Sequence, residues 1–231
     1  MANVAVVGQG YVGLPLSIAI SESGFNCIGI ENNLQKISLI KESKSDIYDI
    51  PASRMKKVLN SGSYVITKEY SEASKCQIVI FCLPTPLSEN GLPDLKILNN
   101  AIKKCVGYVS NTTLFIIEST VNPGFTKKIS KKFAHDFIAF SPERIDPLNK
   151  KWDVKNTPKL VAGLTDKARD RAVEFYSKFI DTVIPCSSLE VAETAKLLEN
   201  SFRLINISFI NELAIFCNKI GIDIQEVIKA A

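Results

Sequence analysis

The feature that most constrains the fold is a glycine-rich turn close to the start of the chain. Gly8-Gln9-Gly10-Tyr11-Val12-Gly13 lies between the apolar run Val4–Val7 and Leu14–Ser23, a segment with helical periodicity. In such a strand–turn–helix unit the first glycine permits the tight turn, the second lets a diphosphate approach the backbone, and the third allows close packing. The helix N-terminus adds positive potential. The pattern predicts dinucleotide binding; a glycine turn without a ligand is the alternative.

The rest of the chain alternates short apolar runs with longer helical segments, which is typical of a parallel sheet with crossover helices. The predicted strands are Val4–Val7, Cys27–Ile30, Tyr64–Thr67, Ile78–Cys82, Thr113–Ile117, Phe137–Phe140, Lys159–Ala162 and Thr182–Ile184. The predicted helices are Leu14–Ser23, Leu34–Lys41, Pro51–Leu59, Asp94–Val109 with Asp94 as its cap, Phe125–Phe133 and Asp166–Phe179. We therefore predict an α/β, Rossmann-like, doubly wound and mostly parallel sheet over residues 1–186.

After Pro185 the alternation of short apolar runs and helical segments stops. From Ser188 to about Ile220 the sequence predicts one long helix without proline or glycine, and a shorter helix starts near Ile224. The segment is too long and too apolar for a crossover, so its apolar faces require a partner. We predict that residues 187–231 are the first part of a helical domain that forms a homodimer. The chain ends inside a helical pattern, which suggests a truncation.

An acidic residue at the end of the second predicted strand bears on the choice of cofactor. Glu31 can accept hydrogen bonds from both hydroxyls of an adenosine ribose and would repel the 2′-phosphate of NADP, so NAD is favoured. A solvated carboxylate that opens the next helix is the alternative reading. Lys36 lies one turn into that helix. It could reach the adenosine end or remain a surface lysine.

Composition excludes several classes of function. The formal net charge of +4 comes from 28 basic residues scattered among 24 acidic ones, which argues against nucleic-acid binding. Six cysteines form no Cys-x-x-Cys pair and His135 is the one histidine, so we expect no metal site. Neither a signal peptide nor an apolar run of membrane-spanning length is evident. We therefore expect a cytoplasmic protein with free thiols and no membrane partner.

Several further blocks of sequence resemble one family. They are Gly8 to Pro15, Cys82 to Pro86, Pro93-Asp94-Leu95, Glu118 to Thr126, Phe140 to Pro147 and Ala192 to Asn200. In this order they resemble the NAD-dependent dehydrogenases that oxidise UDP-glucose, UDP-N-acetylglucosamine or UDP-N-acetylmannosamine to uronic acids. The residues in these blocks resemble the UDP-N-acetylglucosamine and UDP-N-acetylmannosamine branches more than the UDP-glucose branch, and N-acetylglucosamine is slightly favoured. The resemblance implies a UDP-sugar substrate and the supply of precursors for a bacterial surface polysaccharide.

The first of these blocks supply candidates for the cofactor site and for catalysis. Pro84 and Thr85 follow a strand at the carboxyl edge of the sheet, where such folds bind ligands, so we assign them to the cofactor; a rigid packing turn is the alternative. Ser119 and Thr120 end another strand. The resemblance places Thr120 near the nicotinamide, holding the water of the final hydrolysis, and a helix-capping threonine is the alternative. The complete cofactor set is Gly8, Gly10, Tyr11, Val12, Gly13, Glu31, Lys36, Pro84, Thr85, Ser119 and Thr120.

Three further catalytic candidates lie in the last two blocks. The resemblance gives Glu143 the task of orienting or deprotonating water; a surface pair with Arg144 is the alternative. Lys196 and Asn200 lie four residues apart on the long helix, so they share one face and can stabilise one oxyanion. The resemblance assigns that oxyanion to C6 of the sugar. Taken alone, Lys196 would more often be a solvated lysine.

One part of the expected machinery is missing from these residues. The resemblance implies a cysteine nucleophile in a Gly-x-Cys block, oxidation in two steps with two NAD reduced, and a UDP-binding C-terminal domain. Neither Cys186 nor Cys217 has the flanking glycine. We therefore expect the chain alone to bind NAD without dehydrogenase activity. Alternative readings are a UDP-glucose 6-dehydrogenase, a β-hydroxyacid or 6-phosphogluconate type dehydrogenase, and a non-catalytic NAD-binding module.

Overall fold

The computed structural model describes residues 3–45, 47, 50–144 and 151–231 of the chain. The strands are β1 (Asn3–Val7), β2 (Asn26–Ile30), β3 (Tyr64–Thr67), β4 (Ile78–Phe81), β5 (Leu114–Ile117), β6 (Ile138–Phe140), β7 (Lys159–Gly163) and β8 (Val183–Pro185). The helices are α1 (Gly13–Glu22), α2 (Leu34–Lys41), α3 (Ala52–Asn60), α4 (Lys96–Val106), α5 (Phe125–Phe133), α6 (Asp166–Tyr176), α7 (Leu189–Lys219) and α8 (Ile224–Ala230). Residues 145–147, which end one of the blocks discussed above, lie outside the described residues.

The strands form one sheet in the order β3-β2-β1-β4-β5-β6-β7-β8. Pairing is parallel from β3 through β6, β7 runs antiparallel to β6, and β8 is parallel to β7. The predicted doubly wound, mostly parallel sheet is confirmed. The direction of winding reverses between β1 and β4, and folds of this kind bind ligands in the crevice at the carboxyl ends of such strands.

The sheet is covered on both faces, which explains why its central strands read as continuous apolar runs. All residues of β4 and β5 are buried. In β1, Val4 and Val6 pack into a core layer with α1, α3 and α6, whereas Ala5 and Val7 pack into a second layer with α4 and α5. Each layer packs one set of helices against the sheet. The loops at the carboxyl edge therefore start from strands that are packed on both faces.

Small departures from the predicted elements occur at helix ends. The α4 helix begins at Lys96, whose N–H donates to Asp94 at 2.9 Å, and ends at Val106 because Gly107 follows. The α6 helix ends at Tyr176 and continues only as a turn. A 3-10 helix at Tyr70–Lys75 was not predicted, since six residues are too few for a periodic pattern.

The chain divides into two compact units, one up to Glu193 and one from Thr194 to Ala231. The second unit contains most of α7 together with α8, and the predicted long and short helices are confirmed. Gly221 (φ +76°) ends the long helix, and Asp223 caps the short one through the N–H of Gln225 at 2.9 Å. Within the described residues no single helix has the length and apolarity to cross a membrane, although α7 and α8, bent by 119°, pass that test jointly.

Candidate functional site

The glycine turn from Gly8 to Gly13 joins β1 to α1 at the carboxyl edge. Gly8 has a φ of +91°, and a Cβ there would lie 2.5 Å from the Cys82 carbonyl oxygen. A Cβ on Gly13 would lie 1.8 Å from the Gly8 carbonyl oxygen. Both positions therefore require glycine, the first for the turn and the third for the packing of helix on strand, as the sequence predicted.

Gly10 differs from its two neighbours because a Cβ there would meet nothing within 4 Å. The backbone at this position faces open space beside the N-terminus of α1. That helix has no side-chain cap and no acidic residue in its first turn, so its N–H groups remain suited to an anion. Tyr11 is exposed and Val12 is half-buried next to the opening. The space and the donors fit a diphosphate.

Glu31 follows β2 on the same edge, and its carboxylate is fixed by backbone groups. Oε2 accepts the N–H of Gln9 at 3.0 Å, while Oε1 accepts the N–H groups of Asn32 at 2.8 Å and Asn33 at 3.0 Å. A carboxylate offers about four lone-pair directions, so capacity remains for a ribose hydroxyl. Lys36 lies in the first turn of α2 and is half-buried. The role of Glu31 at a ribose stays a prediction, because its contacts with Asn32 and Asn33 also fit a carboxylate that opens the next helix.

The loops after β4 and β5 are brought together by hydrogen bonds. Ser119 Oγ accepts the N–H of Leu83 at 3.0 Å, and Thr85 Oγ1 donates to the Thr120 carbonyl oxygen at 2.8 Å. Pro84 is exposed between them. The sequence predicted that Thr85 faces the cofactor; in the structure its hydroxyl proton ties the two loops together.

Glu193 was not picked out from the sequence, yet it caps α5. This side chain is 0% exposed, and its two carboxylate oxygens accept the N–H groups of Gly124 at 2.6 Å and Thr126 at 3.0 Å. The helix begins at Phe125 with Gly124 in the left-handed conformation. Thr120 is therefore not the cap, and the helix-capping alternative for that threonine is wrong.

Glu143 and Arg144 follow β6 and line a cleft together with Pro142, Thr157 and Lys159. Both are half-buried. Glu143 Oε1 accepts the N–H of Arg144 at 2.7 Å, and the Arg144 guanidinium donates to the Pro158 carbonyl oxygen at 3.3 Å. Glu143 thus lies at the same carboxyl edge as Ser119 and Thr120, and Lys159 lines the same cleft.

A buried ion pair lies behind this cleft and was missed by the sequence analysis. The fully buried Glu118 accepts from Lys159 Nζ at 2.9 Å and from the Tyr176 hydroxyl at 2.5 Å. Burial raises the pKa of Glu118, Lys159 opposes that shift, and Glu143 adds to it. Burial alone would lower the pKa of Lys159, but Glu118 and Glu143 together raise it. Lys159 therefore pairs with Glu118 and also feels the charge of Glu143, an arrangement that no local pattern signals.

Lys196 and Asn200 belong to the second unit, where both lie on α7 at the spacing that puts them on one helix face. Lys196 is largely buried and lies 3.6 Å from Glu199, whereas Asn200 is exposed. A mostly buried lysine does not fit the reading of a solvated surface residue. Joint action of the ammonium and the amide on one oxygen atom stays a prediction from their spacing.

All six cysteines are free thiols, and all of them except Cys186 are buried. Burial raises the pKa of Cys27, Cys76 and Cys105 to about 12 and the pKa of Cys82 well above its usual value. Burial also raises the pKa of Cys186, and Cys217 is 3% exposed. The interpretation of Cys82 as a packing residue agrees with this burial.

Two family matches cover nearly the whole chain. Residues 2–180 match the NAD binding domain, and residues 190–231 the central domain, of the UDP-glucose/GDP-mannose dehydrogenase family. The chain is 33% identical to the UDP-N-acetyl-D-mannosamine dehydrogenase of Methanocaldococcus jannaschii, over 99% of this chain and 55% of that protein. It is 34% identical to the UDP-N-acetyl-D-glucosamine 6-dehydrogenase of Pseudomonas aeruginosa, over 99% of this chain and 56% of that protein.

Solved structures give the same picture. The UDP-D-ManNAc dehydrogenase from Pyrococcus horikoshii superimposes with a TM-score of 0.90 at 30% identity, covering 99% of this chain and 57% of that one. A GDP-mannose dehydrogenase from Pseudomonas aeruginosa, 22% identical, shares the fold with a TM-score of 0.88. The chain therefore spans about half the length of the relatives it matches.

Proposed function

We propose, from the premise that this chain belongs to the UDP-glucose/GDP-mannose dehydrogenase family, that the protein carrying it oxidises C6 of a UDP-N-acetylhexosamine to the uronic acid. NAD is the cofactor of the domain up to about residue 180. Relatives named for both amino sugars match at 33% and 34% identity, which supports the sugar class without separating the epimers. The residues of the sequence motifs favour N-acetylglucosamine as the sugar.

The observation that carries this proposal is the geometry of the cofactor turn. Gly10 opens onto free space beside an uncapped helix N-terminus, and the Glu31 carboxylate is held on the adjacent strand end. We assign the diphosphate to the backbone from Gly8 to Gly13, with Tyr11 and Val12 beside it, and the adenosine ribose to Glu31, with Lys36 nearby. Pro84, Thr85 and Ser119 line the side towards the nicotinamide. Bound NAD supplies the hydride acceptor for C6.

Four side chains carry the proposed chemistry on the sugar. Thr120, which lies in the loop after β5, holds the water of the last step, and Glu143 orients that water or takes its proton. Lys196 and Asn200 stabilise the oxyanion that develops at C6, since an ammonium and an amide on one helix face can donate to one oxygen. The nucleophilic cysteine of such a reaction is not among the six thiols described above.

We further propose that the chain of 231 residues, taken alone, binds NAD without turning over a UDP-sugar. The buried thiols support this, because the thiolate is the nucleophile and burial raises the thiol pKa. The proposed assembly is a homodimer through the central helix, in the cytoplasm. Exposed apolar side chains along α7 support a protein partner: Leu198, Phe202, Leu204, Ile205, Phe209 and Phe216.

The test is an NADH assay on the protein expressed from its natural reading frame. We expect two NADH per molecule of UDP-N-acetylglucosamine or UDP-N-acetylmannosamine, and a much lower kcat/KM with UDP-glucose. One NADH with a hydroxyacid, or no NADH with any UDP-sugar, would refute the proposal. Size-exclusion chromatography with light scattering on the same sample tests the dimer.

A further inference from the structure

The face of the cofactor turn that points into the core is built around one buried amide. Gln9 is 0% exposed although it sits between Gly8 and Gly10. Its Nε2 donates to the Val6 carbonyl oxygen at 2.8 Å, and its Oε1 accepts from the Tyr64 hydroxyl at 2.8 Å. Ser17 Oγ lies 3.1 Å from the same Oε1, but its one proton also faces the Gly13 carbonyl oxygen at 2.7 Å. The amide orientation is thereby fixed, since only its nitrogen can face a carbonyl.

The contact between Tyr64 and Gln9 depends on a glycine in the strand that separates them. Tyr64 lies on β3, and its phenol reaches across β2 at Gly29. A Cβ on Gly29 would lie 2.6 Å from the Tyr64 hydroxyl oxygen and 2.8 Å from Gln9 Cδ. Burial raises the pKa of Tyr64 well above its usual value, so the phenol remains a donor. The hydrogen bond from Tyr64 to Gln9 therefore depends on β3, on Gly29 of β2 and on the cofactor turn.

The same residue connects this buried contact to the ribose site. The backbone N–H of Gln9 donates to Glu31 Oε2 at 3.0 Å, and the flanking glycines form the diphosphate side of the turn. A shift of the Gln9 amide therefore displaces a donor that orients the carboxylate. Tyr64 is 1% exposed, so its contact with Gln9 lies in the core beneath the turn.

We propose that Tyr64 and Gln9 are positioning residues for NAD, which set the orientation of Glu31 from beneath the cofactor turn. The inference rests on the assignment of the adenosine ribose to Glu31. The Tyr64 hydroxyl holds the Gln9 amide, the Gln9 backbone N–H holds the Glu31 carboxylate, and the carboxylate receives a ribose hydroxyl.

The experiment measures NAD affinity by isothermal titration calorimetry with the 231-residue chain and with Tyr64→Phe. Loss of one buried hydrogen bond predicts about three- to tenfold weaker binding. In a Glu31→Gln background the same substitution should change the affinity by less than about twofold, because its effect passes through the carboxylate. Gln9→Met, which keeps the volume and removes the amide, should weaken binding at least as much as Tyr64→Phe.

The matched control is Tyr108→Phe, which removes the same atom from an exposed tyrosine and should leave the affinity unchanged. Titrations are run well below the Tm of each variant, so that every sample is folded. A purely structural role would lower the Tm and leave the dissociation constant of the folded protein within twofold for both Tyr64→Phe and Gln9→Met. That result would overturn the inference. Failure of the unsubstituted chain to bind NAD would instead refute the cofactor assignment itself.

Discussion

Replacement of Glu193 by glutamine tests how α5 is held at its N-terminus. The buried carboxylate accepts two N–H groups, from Gly124 at 2.6 Å and from Thr126 at 3.0 Å. A glutamine side chain offers one oxygen, so it leaves one buried N–H group facing an NH₂ group. An unsatisfied buried donor costs about 1–3 kcal/mol, and loss of the negative charge at the helix N-terminus adds about 1 kcal/mol.

We therefore expect Glu193→Gln to lower the free energy of unfolding by about 2–4 kcal/mol. Urea denaturation followed by circular dichroism measures this change. The matched control is Glu190→Gln on the same helix, because the Glu190 side chain is 45% exposed and lies 3.9 Å from Lys127. A pair of that kind contributes about 0–1 kcal/mol. Equal stability losses in the two variants, or a loss below about 0.5 kcal/mol for Glu193→Gln, would refute the capping role.

Three further predictions concern the turn, the ribose site and the one histidine. Gly13→Ala should destabilise the fold strongly, because its Cβ would lie 1.8 Å from a carbonyl oxygen. Gly10→Ala should keep the wild-type Tm and weaken NAD binding by at least about tenfold. Thermal melts and calorimetry separate the two effects, and equal Tm values for the two variants would contradict the prediction. Glu31→Gln should weaken NAD binding by about tenfold and reduce the preference for NAD over NADP, measured by competitive titration; an unchanged preference would contradict it. Burial lowers the pKa of His135 below 6.5, so the unfolded chain takes up a proton first as the pH falls; the free energy of unfolding is therefore greatest above pH 6.5 and declines below it. Urea melts from pH 7.5 down to 5.5 should show this decline in the wild type and a smaller decline in His135→Gln. Parallel curves for the two proteins would contradict the prediction.

The elements and the cofactor turn were predictable because local patterns specify them. The spacing of three glycines after an apolar run placed both β1 and α1, and the structure confirms that Gly8 and Gly13 tolerate no Cβ. The apolar character of β4 and β5 follows from burial on both faces of the sheet. In these cases a few consecutive residues carry the whole signal.

Contacts between distant parts of the chain were not predictable. Glu193 meets the start of α5 across 69 and 67 residues, and Lys159 meets Glu118 across 41. A single sequence gives no signal for such pairs, because each residue alone looks like an ordinary surface charge. Gln9 was overlooked for a related reason: in a glycine motif it occupies a variable position, and its role depends on Tyr64, which is 55 residues away.

The central claim is that the turn from Gly8 to Gly13 and the Glu31 carboxylate hold NAD. Calorimetric titration of the purified 231-residue chain with NAD and with NADP tests it most directly. We predict saturable binding of about one NAD per chain with a Kd below about 1 mM, and binding of NADP that is weaker by about tenfold or more. Absence of heat and of any thermal shift with millimolar NAD would contradict the account.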